Sequence, residues 1–359
     1  MDPRIREHAQ LVAEAVDLSA GDDLVIKAEP HAEDMLVALY ELAGERGANP
    51  VALRTNRSGR AIRAYLRAHD GEFETPAHEM ALVEAADCHV VIRGHGNVTE
   101  LEDVDPEINT EYEKAHRPIL DERLSDRWCL TQFPTPADAQ LAEMSTEAYG
   151  NFVWDAVLKD WDEQAAFQEQ IVEILDPADE VRITSGDTTD VTMSVAGNKT
   201  LNDTATHNLP GGEVFTAPVP DSVEGEVLFD KPVYRRGREI TDAYLRFEGG
   251  EVVDHSASKN EDLLTSILDT DPGARRLGEL GIGMNRDIDR FTYNMLFDEK
   301  MGDTVHMAVG RAYVDTVGEG NEQNQSAQHV DMIVDMSEDS TIEVDGEVVQ
   351  RDGTFVFEE

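Results

Sequence analysis

The sequence predicts an α/β domain over residues 1–176, a mostly parallel sheet with helices on both sides, followed over residues 177–359 by a mainly antiparallel, β-rich α+β domain. Three observations carry this expectation. Short apolar runs alternate with helix-length amphipathic stretches as far as Leu175, the order that builds a parallel sheet. Past Asp176-Pro177-Ala178-Asp179 the texture changes to brief β-like runs punctuated by Gly, Pro, Asn and Asp. At 359 residues the chain also exceeds what one hydrophobic core ordinarily serves.

In chain order, Ile5–Val16 reads as a helix, DLVIKAE from Asp23 to Glu29 as a strand, and His31–Arg46 as a helix stopped by Gly47. Pro50–Arg54 is the next strand, Arg60–Ala68 and Ala77–Ala86 are helical, and Cys88–Arg93 is an apolar strand. A helix over Ile108–Leu124 precedes the strand Trp128–Gln132; Pro134-Thr135-Pro136 then breaks the pattern before helices around Trp154 and over Trp161–Ile174. Arg93-Gly94-His95-Gly96-Asn97 follows a strand end, where doubly wound sheets bind ligands, but a lone Gly-His-Gly reads first as a tight turn.

The second half offers strands over Glu180–Thr184, Asp190–Val195, Val214–Ala217, Glu226–Phe229, Leu245–Phe247, Glu251–Asp254, Val305–Val309, Val330–Val334 and Thr341–Val344. Glu248-Gly249-Gly250 and Asp345-Gly346 are hairpin signals, and Asn260–Thr270 is the one clear helix.

Charge dominates the composition: 30 Lys and Arg against 75 Asp and Glu, a formal net charge of −45. The acids are scattered, which suits a protein working in concentrated salt, where the Debye length falls to about 3 Å at 1 M. Such a surface excludes nucleic acid as a partner, because phosphate binding needs clustered cations. No run approaches the roughly eighteen apolar residues of a membrane span, and the opening stretch lacks a signal-peptide core, so a soluble, cytoplasmic protein is expected. Cys88 and Cys129, without CxxC spacing, read as buried small hydrophobes.

The chemistry concentrates late in the chain. In His329-Val330-Asp331 a strand places both polar groups on one face and Val330, Met332 and Val334 on the other. His306 lies in a second β-like run, Thr304–Val309, so two neighbouring strands can aim His306, His329 and Asp331 at one point. Burying such a set is costly without a cation, and a divalent metal meets the need. Glu213 follows Pro210-Gly211-Gly212, Glu279 lies between glycines in LGELGIG, and Glu299 heads the first histidine segment. Singly, each acid reads as an exposed turn residue and His306 as a hydrogen-bonded core histidine; together, with glycines beside two of the acids, they read as a site.

Four segments in order, LPGGEVFTAP, RRLGELGIGMN, LFDEKMGDTVHMAVGRAY and QHVDMIVD, resemble the signature segments of the aminopeptidase T/aminopeptidase S metallopeptidase family, family M29, over about Asn208 to Asp335. The resemblance implies a leading α/β domain, a β-rich catalytic domain, two divalent metal ions, a homodimer, and removal of amino-terminal residues from peptide substrates. It also implies a metal shell of Glu213, Glu279, Glu299, His306, His329 and Asp331, with Tyr313 as catalytic tyrosine. The donor set suits zinc, cobalt or manganese, and two such ions roughly 3.5–4 Å apart can share and activate one water. Glu279, a second catalytic candidate, would bridge them, and Glu279 or Glu299 would pass a proton to the leaving amine.

The seven-residue step from His306 to Tyr313 would put them on opposite faces of a straight strand, so a break is expected near Gly310-Arg311. On spacing alone Tyr313 reads equally as a core tyrosine. Two other readings stand beside the peptidase. His306, His329 and Asp331 form the two-histidine, one-carboxylate set of a non-haem Fe(II) ring-cleaving dioxygenase, for which Glu213 and Glu279 are superfluous. The other is a salt-adapted binding protein whose acids chelate ions loosely.

Overall fold

The structure is a computed structural model and describes residues 2–53, 59–235 and 238–358. Packing divides the chain into two compact units, one of Met1–Lys159 with Ala205–Pro210, the other of Asp160–Thr204 with Gly211–Glu359. The change of texture at Asp176-Pro177 lies one helix inside the second unit, because helix Trp161–Leu175 buries Ile171 and Leu175 in that unit's core.

The first unit's sheet is parallel throughout, in the order Asn49–Leu53, Asp23–Ala28, Cys88–Arg93, Arg127–Gln132, Asn208–Leu209. The second strand is the expected Pro50–Arg54 run; Arg54 lies outside the described residues. From Asp23–Ala28 the chain steps outward to Asn49–Leu53 and then back across to Cys88–Arg93. Right-handed crossovers in opposite directions put helices on both faces. Double coverage explains why Leu24, Val25 and Ile26 are all buried in succession. Local signals set the helix ends: Asp2 accepts from Arg4 N before Pro3–Ala15, and Gly47, at φ 80°, closes Glu33–Arg46. The fifth strand, Asn208–Leu209, carried no legible signal; the Thr131 hydroxyl, hydrogen-bonded to the buried His8 ring, donates to Leu209 O at 2.7 Å. Cys88 and Cys129 are buried and unbridged, as read.

The second unit packs two antiparallel sheets face to face. The larger runs Glu251–Ser256, Ala243–Glu248, Glu224–Phe229, Thr189–Ser194, Glu180–Ser185, Ser340–Val344, Glu347–Arg351, Thr354–Phe355. The smaller runs His329–Asp335, Thr304–Gly310, Leu277–Gly283, Glu213–Thr216, Leu201–Asp203. Val227, Phe229, Leu245 and Phe247 of the first meet Leu280, Ile282, Val305, Met307, Met332 and Val334 of the second in one core. Alternation thus spends one face of the smaller sheet on packing and frees the other.

Truncating the middle of this core leaves a cavity that cannot collapse. Phe247→Ala is expected to lower the unfolding free energy by about 3–5 kcal/mol in denaturant titrations at fixed salt; a loss below about 1 kcal/mol would contradict the packing described.

Candidate metal centre

The free face of the smaller sheet is where the polar residues converge, and register fixes who meets whom. Ala308 lies between Glu279 on one neighbouring strand and Asp331 on the other. Gly281 lies between Phe215 and His306, and Gly283 pairs with Glu213. Small residues therefore alternate with functional ones across the sheet. A Cβ at Gly281 would overlap the His306 imidazole, so this glycine makes the ring's place. Beside Glu213, Gly212 at φ 115° leaves to Asn285 the space that a Cβ would need, and Asn285 Nδ2 donates to Gly211 O at 3.1 Å.

His306 Nε2 stands 3.1 Å from Glu213 Oε2 and 3.2 Å from Glu279 Oε1, with the ring wholly buried. On the far side of Glu279, His329 Nε2 is 3.9 Å from Glu279 Oε2 and 3.3 Å from Asp331 Oδ1. His329 Nδ1 donates to Arg311 O at 2.8 Å, which fixes the ring and turns Nε2 to the carboxylates. Two donor groups result, Glu213–Glu279–His306 and Glu279–His329–Asp331, with Glu279 common to both.

Glu299 enters neither group. It caps the short helix Met295–Asp298, whose Asp298 carboxylate accepts from Thr292 N, Thr292 Oγ1 and Asn294 N, and it is ion-paired with Lys300. The fully buried Lys300 also reaches Glu213 Oε1 at 2.9 Å and Asp203 Oδ2 at 3.7 Å. Neither Lys300 nor Asp203 was found in the sequence. The available signal for Lys300 was a scarce lysine directly after a candidate ligand; Asp203, on a three-residue strand opposite Glu213, offered none.

Electrostatics follow from burial opposed by partners. Burial raises the Glu279 carboxyl, and the two imidazoles offset this only in part. Burial likewise outweighs Lys300 at Glu299, pushing it up to about 8. At Glu213 burial is overcome by Lys300 and His306, and at Asp331 by His329, so both are held low. Burial disfavours the two imidazolium ions, yet Glu213 and Glu279 raise His306 well above its ordinary value, and Asp331 with Glu279 raises His329 to about 10.

The break expected after the His306 strand is present: the strand ends at Gly310, φ 107°, and Arg311 N turns away to Gln328 O. Tyr313 then lies with its ring 4.9 Å from His329 and 6.2 Å from Phe215. It is half exposed rather than a core tyrosine. Desolvation and the surrounding carboxylates, Glu279 first, keep its phenol protonated.

A cation fits this face. Glu213 Oε2, Glu279 Oε2, Asp331 Oδ1 and His306 Nδ1 are buried without a hydrogen-bond partner, and three of these four atoms are carboxylate oxygens turned into the two donor groups. Oxygen and imidazole donors without thiolate match borderline-hard divalent ions.

Comparison with known proteins agrees. The chain matches the model of the peptidase M29 family, thermophilic metalloproteases, over residues 1–358. Aminopeptidase 2 of Geobacillus stearothermophilus is 27% identical over 415 aligned positions, covering 99% of this chain and 98% of the relative. Aminopeptidase T of Thermus aquaticus is 38% identical over 162 residues, 42% of this chain and 38% of its own length. Wild-type AmpT from Thermus thermophilus superposes with a TM-score of 0.87 at 24% identity, covering 99% of both chains. The 2,5-dihydroxypyridine dioxygenase of Pseudomonas putida KT2440 shares the fold at a TM-score of 0.61 and 14% identity, covering 99% of this chain and 98% of that one.

The raised groups have one sign in common. The stability they contribute to the ion-free chain is complete below their unfolded values, about 4.3 for Glu and 6.5 for His. It is lost as pH rises through about 8 for Glu299 and about 10 for His329. The melting temperature of the ion-free chain is expected to fall between pH 6.5 and 10, and a bound divalent ion, which displaces these protons, to reverse the fall. A flat profile without metal would contradict the assignment.

Proposed function

Because this chain belongs to the M29 family of metalloproteases and shares the aminopeptidase function of its relatives, we propose that it hydrolyses amino-terminal residues from peptides with two divalent ions, zinc, cobalt or manganese, held on the free face of the smaller sheet. The observation that carries the reading is the pair of donor groups sharing Glu279, with unpartnered oxygens turned inward. Glu213, Glu279 and His306 would hold one ion, and Glu279, His329 and Asp331 the other, with Glu299 bordering the first group.

Bound ions would supply a nucleophilic water at neutral pH and polarise the scissile carbonyl. The protein's own groups do the rest. The acids on this face neutralise the substrate's free amine, which restricts action to the chain end. Glu299, which stands in neither donor group, would carry a proton to the leaving amine. Tyr313, held protonated beside His329, donates a hydrogen bond to the developing oxyanion. A single iron on His306, His329 and Asp331 would leave Glu213 without a task, which favours hydrolysis over ring cleavage.

The net charge of −45 supports a salt-adapted protein, and the family resemblance supports a homodimer. No helix among the described residues is long and apolar enough to cross a membrane.

Turnover of leucyl- and arginyl-anilides in concentrated potassium chloride is the test. Chelation should abolish it, and His329→Ala or Asp331→Ala should lower kcat/KM by about a hundredfold or more while the oligomer persists. One tightly held iron, with oxygen uptake on 2,5-dihydroxypyridine and no anilide cleavage, would overturn the reading. Salt adaptation predicts a melting temperature that climbs with potassium chloride as self-repulsion is screened; a constant value from 0.1 to 3 M would oppose it.

A further inference from the structure

Where the backbone leaves the His306 strand, every main-chain polar group from Gly310 to Ala312 has a hydrogen-bond partner. Gly310 N donates to Arg276 O at 2.8 Å and Arg311 N to Gln328 O at 2.7 Å. Arg311 O accepts from His329 Nδ1 at 2.8 Å, and Ala312 O from Gln323 Nε2 at 2.7 Å. The two groups that remain, Gly310 O and Ala312 N, go to one residue. Asn324 Nδ2 donates to Gly310 O at 2.5 Å, and Asn324 O accepts from Ala312 N at 3.0 Å.

Asn324 thereby grips both peptide planes that flank the Arg311 Cα. A peptide unit is planar and trans, so its N–H and C=O point in opposite directions. Tying Ala312 N to Asn324 O turns Arg311 O the other way, toward the His329 ring. The seat of Asn324 is built for an amide. Its side chain is buried, and Nδ2 faces a second carbonyl, Gly273 O, at 2.9 Å. Two carbonyl oxygens can be met by the two hydrogens of an amide and not by a carboxylate. Glycines clear the space. A Cβ at Gly278, next to Glu279, would overlap Gly310 O and the Arg311–Ala312 peptide, and one at Gly273 would overlap Gln325 O.

We propose that Asn324 is a positioning residue for His329: it sets the Arg311 carbonyl that holds Nδ1, and so presents Nε2 to the ion that His329 would bind with Glu279 and Asp331. It acts on the metal centre through one peptide plane. His306 takes nothing from this turn, since its Nδ1 lacks a hydrogen-bond partner. The inference rests on the metal-binding reading above.

The experiment compares the wild-type full chain with Asn324→Asp, which keeps the size but loses the amide hydrogens, and with Asn324→Ala. In the ion-free chain carrying ¹⁵N-histidine, the His329 Nδ1–H signal is identified by its absence from His329→Ala. It should exchange with water about tenfold faster or more in both variants, the equivalent of one lost hydrogen bond. In a Mn²⁺ titration at fixed salt, one of two ions should weaken about ten- to hundredfold, and the other should stay within about threefold. Adding either change to Asp331→Ala, which already lacks a ligand of that ion, should leave the remaining ion within about threefold. Wild-type exchange at His329 Nδ1 in either folded variant overturns the proposal, and so does wild-type affinity for both ions. Equal weakening of both ions overturns it too, as the mark of a residue that serves only the fold. The functional reading fails separately: a wild-type chain that cleaves no anilide contradicts the peptidase, while the exchange measurement, made without metal, still decides the role of Asn324.

Discussion

Carboxylates can be crowded out of water only where positive charge is brought to them, and that constraint shapes the second unit. Glu213, Glu279 and Asp203 sit on or beside one sheet face with Asp331 and Glu299, against His306, His329 and Lys300. The three basic groups leave several carboxylate oxygens without a donor. An unpaired buried charge is among the most costly features a fold can carry. Those oxygens face the two donor groups, where a cation would satisfy them, a reason to bind one that does not rest on likeness to other proteins.

Backbone parity makes the crowding possible. In each of the three central strands of the smaller sheet one set of alternate residues fills the core, as Val305, Met307 and Val309 do, and the opposite set is free for chemistry. Glycine or alanine separates the functional residues across the strands, at Gly281, Gly283 and Ala308. The large side chains consequently do not compete for the same volume. Stability and chemistry are drawn from opposite faces of the same residues' backbone, which lets a polar centre exist one strand thickness from a dry core.

Much of this was legible in the sequence because alternation is a sequence-level property. His329-Val330-Asp331 declared its two faces, the Gly-flanked Glu279 declared a strand with a crowded side, and odd spacing to Tyr313 required the turn found at Gly310. The parallel first sheet was legible for the same reason, through helix-length gaps between apolar runs. What escaped detection depends on contacts distant in sequence. The two-residue strand Asn208–Leu209 exists only by pairing with Arg127–Gln132. Asp203 matters only because its strand pairs with Glu213, and Lys300 is indistinguishable from a surface lysine until its burial is known. The division after Lys159 likewise reflects where helix Trp161–Leu175 packs, which the turn at Asp176-Pro177 does not disclose.

The fold is shared with a 2,5-dihydroxypyridine dioxygenase, so architecture alone does not assign the reaction, and the proposed hydrolysis rests on the acids of the free face. Anomalous-scattering crystallography of the manganese- or zinc-loaded chain at the metal's absorption edge tests this most directly. Two peaks on the free face of the smaller sheet, both touching Glu279, with His306 and His329 on different ions, are the expected result. A single peak held by both histidines and Asp331, with Glu213 uninvolved, would contradict the account.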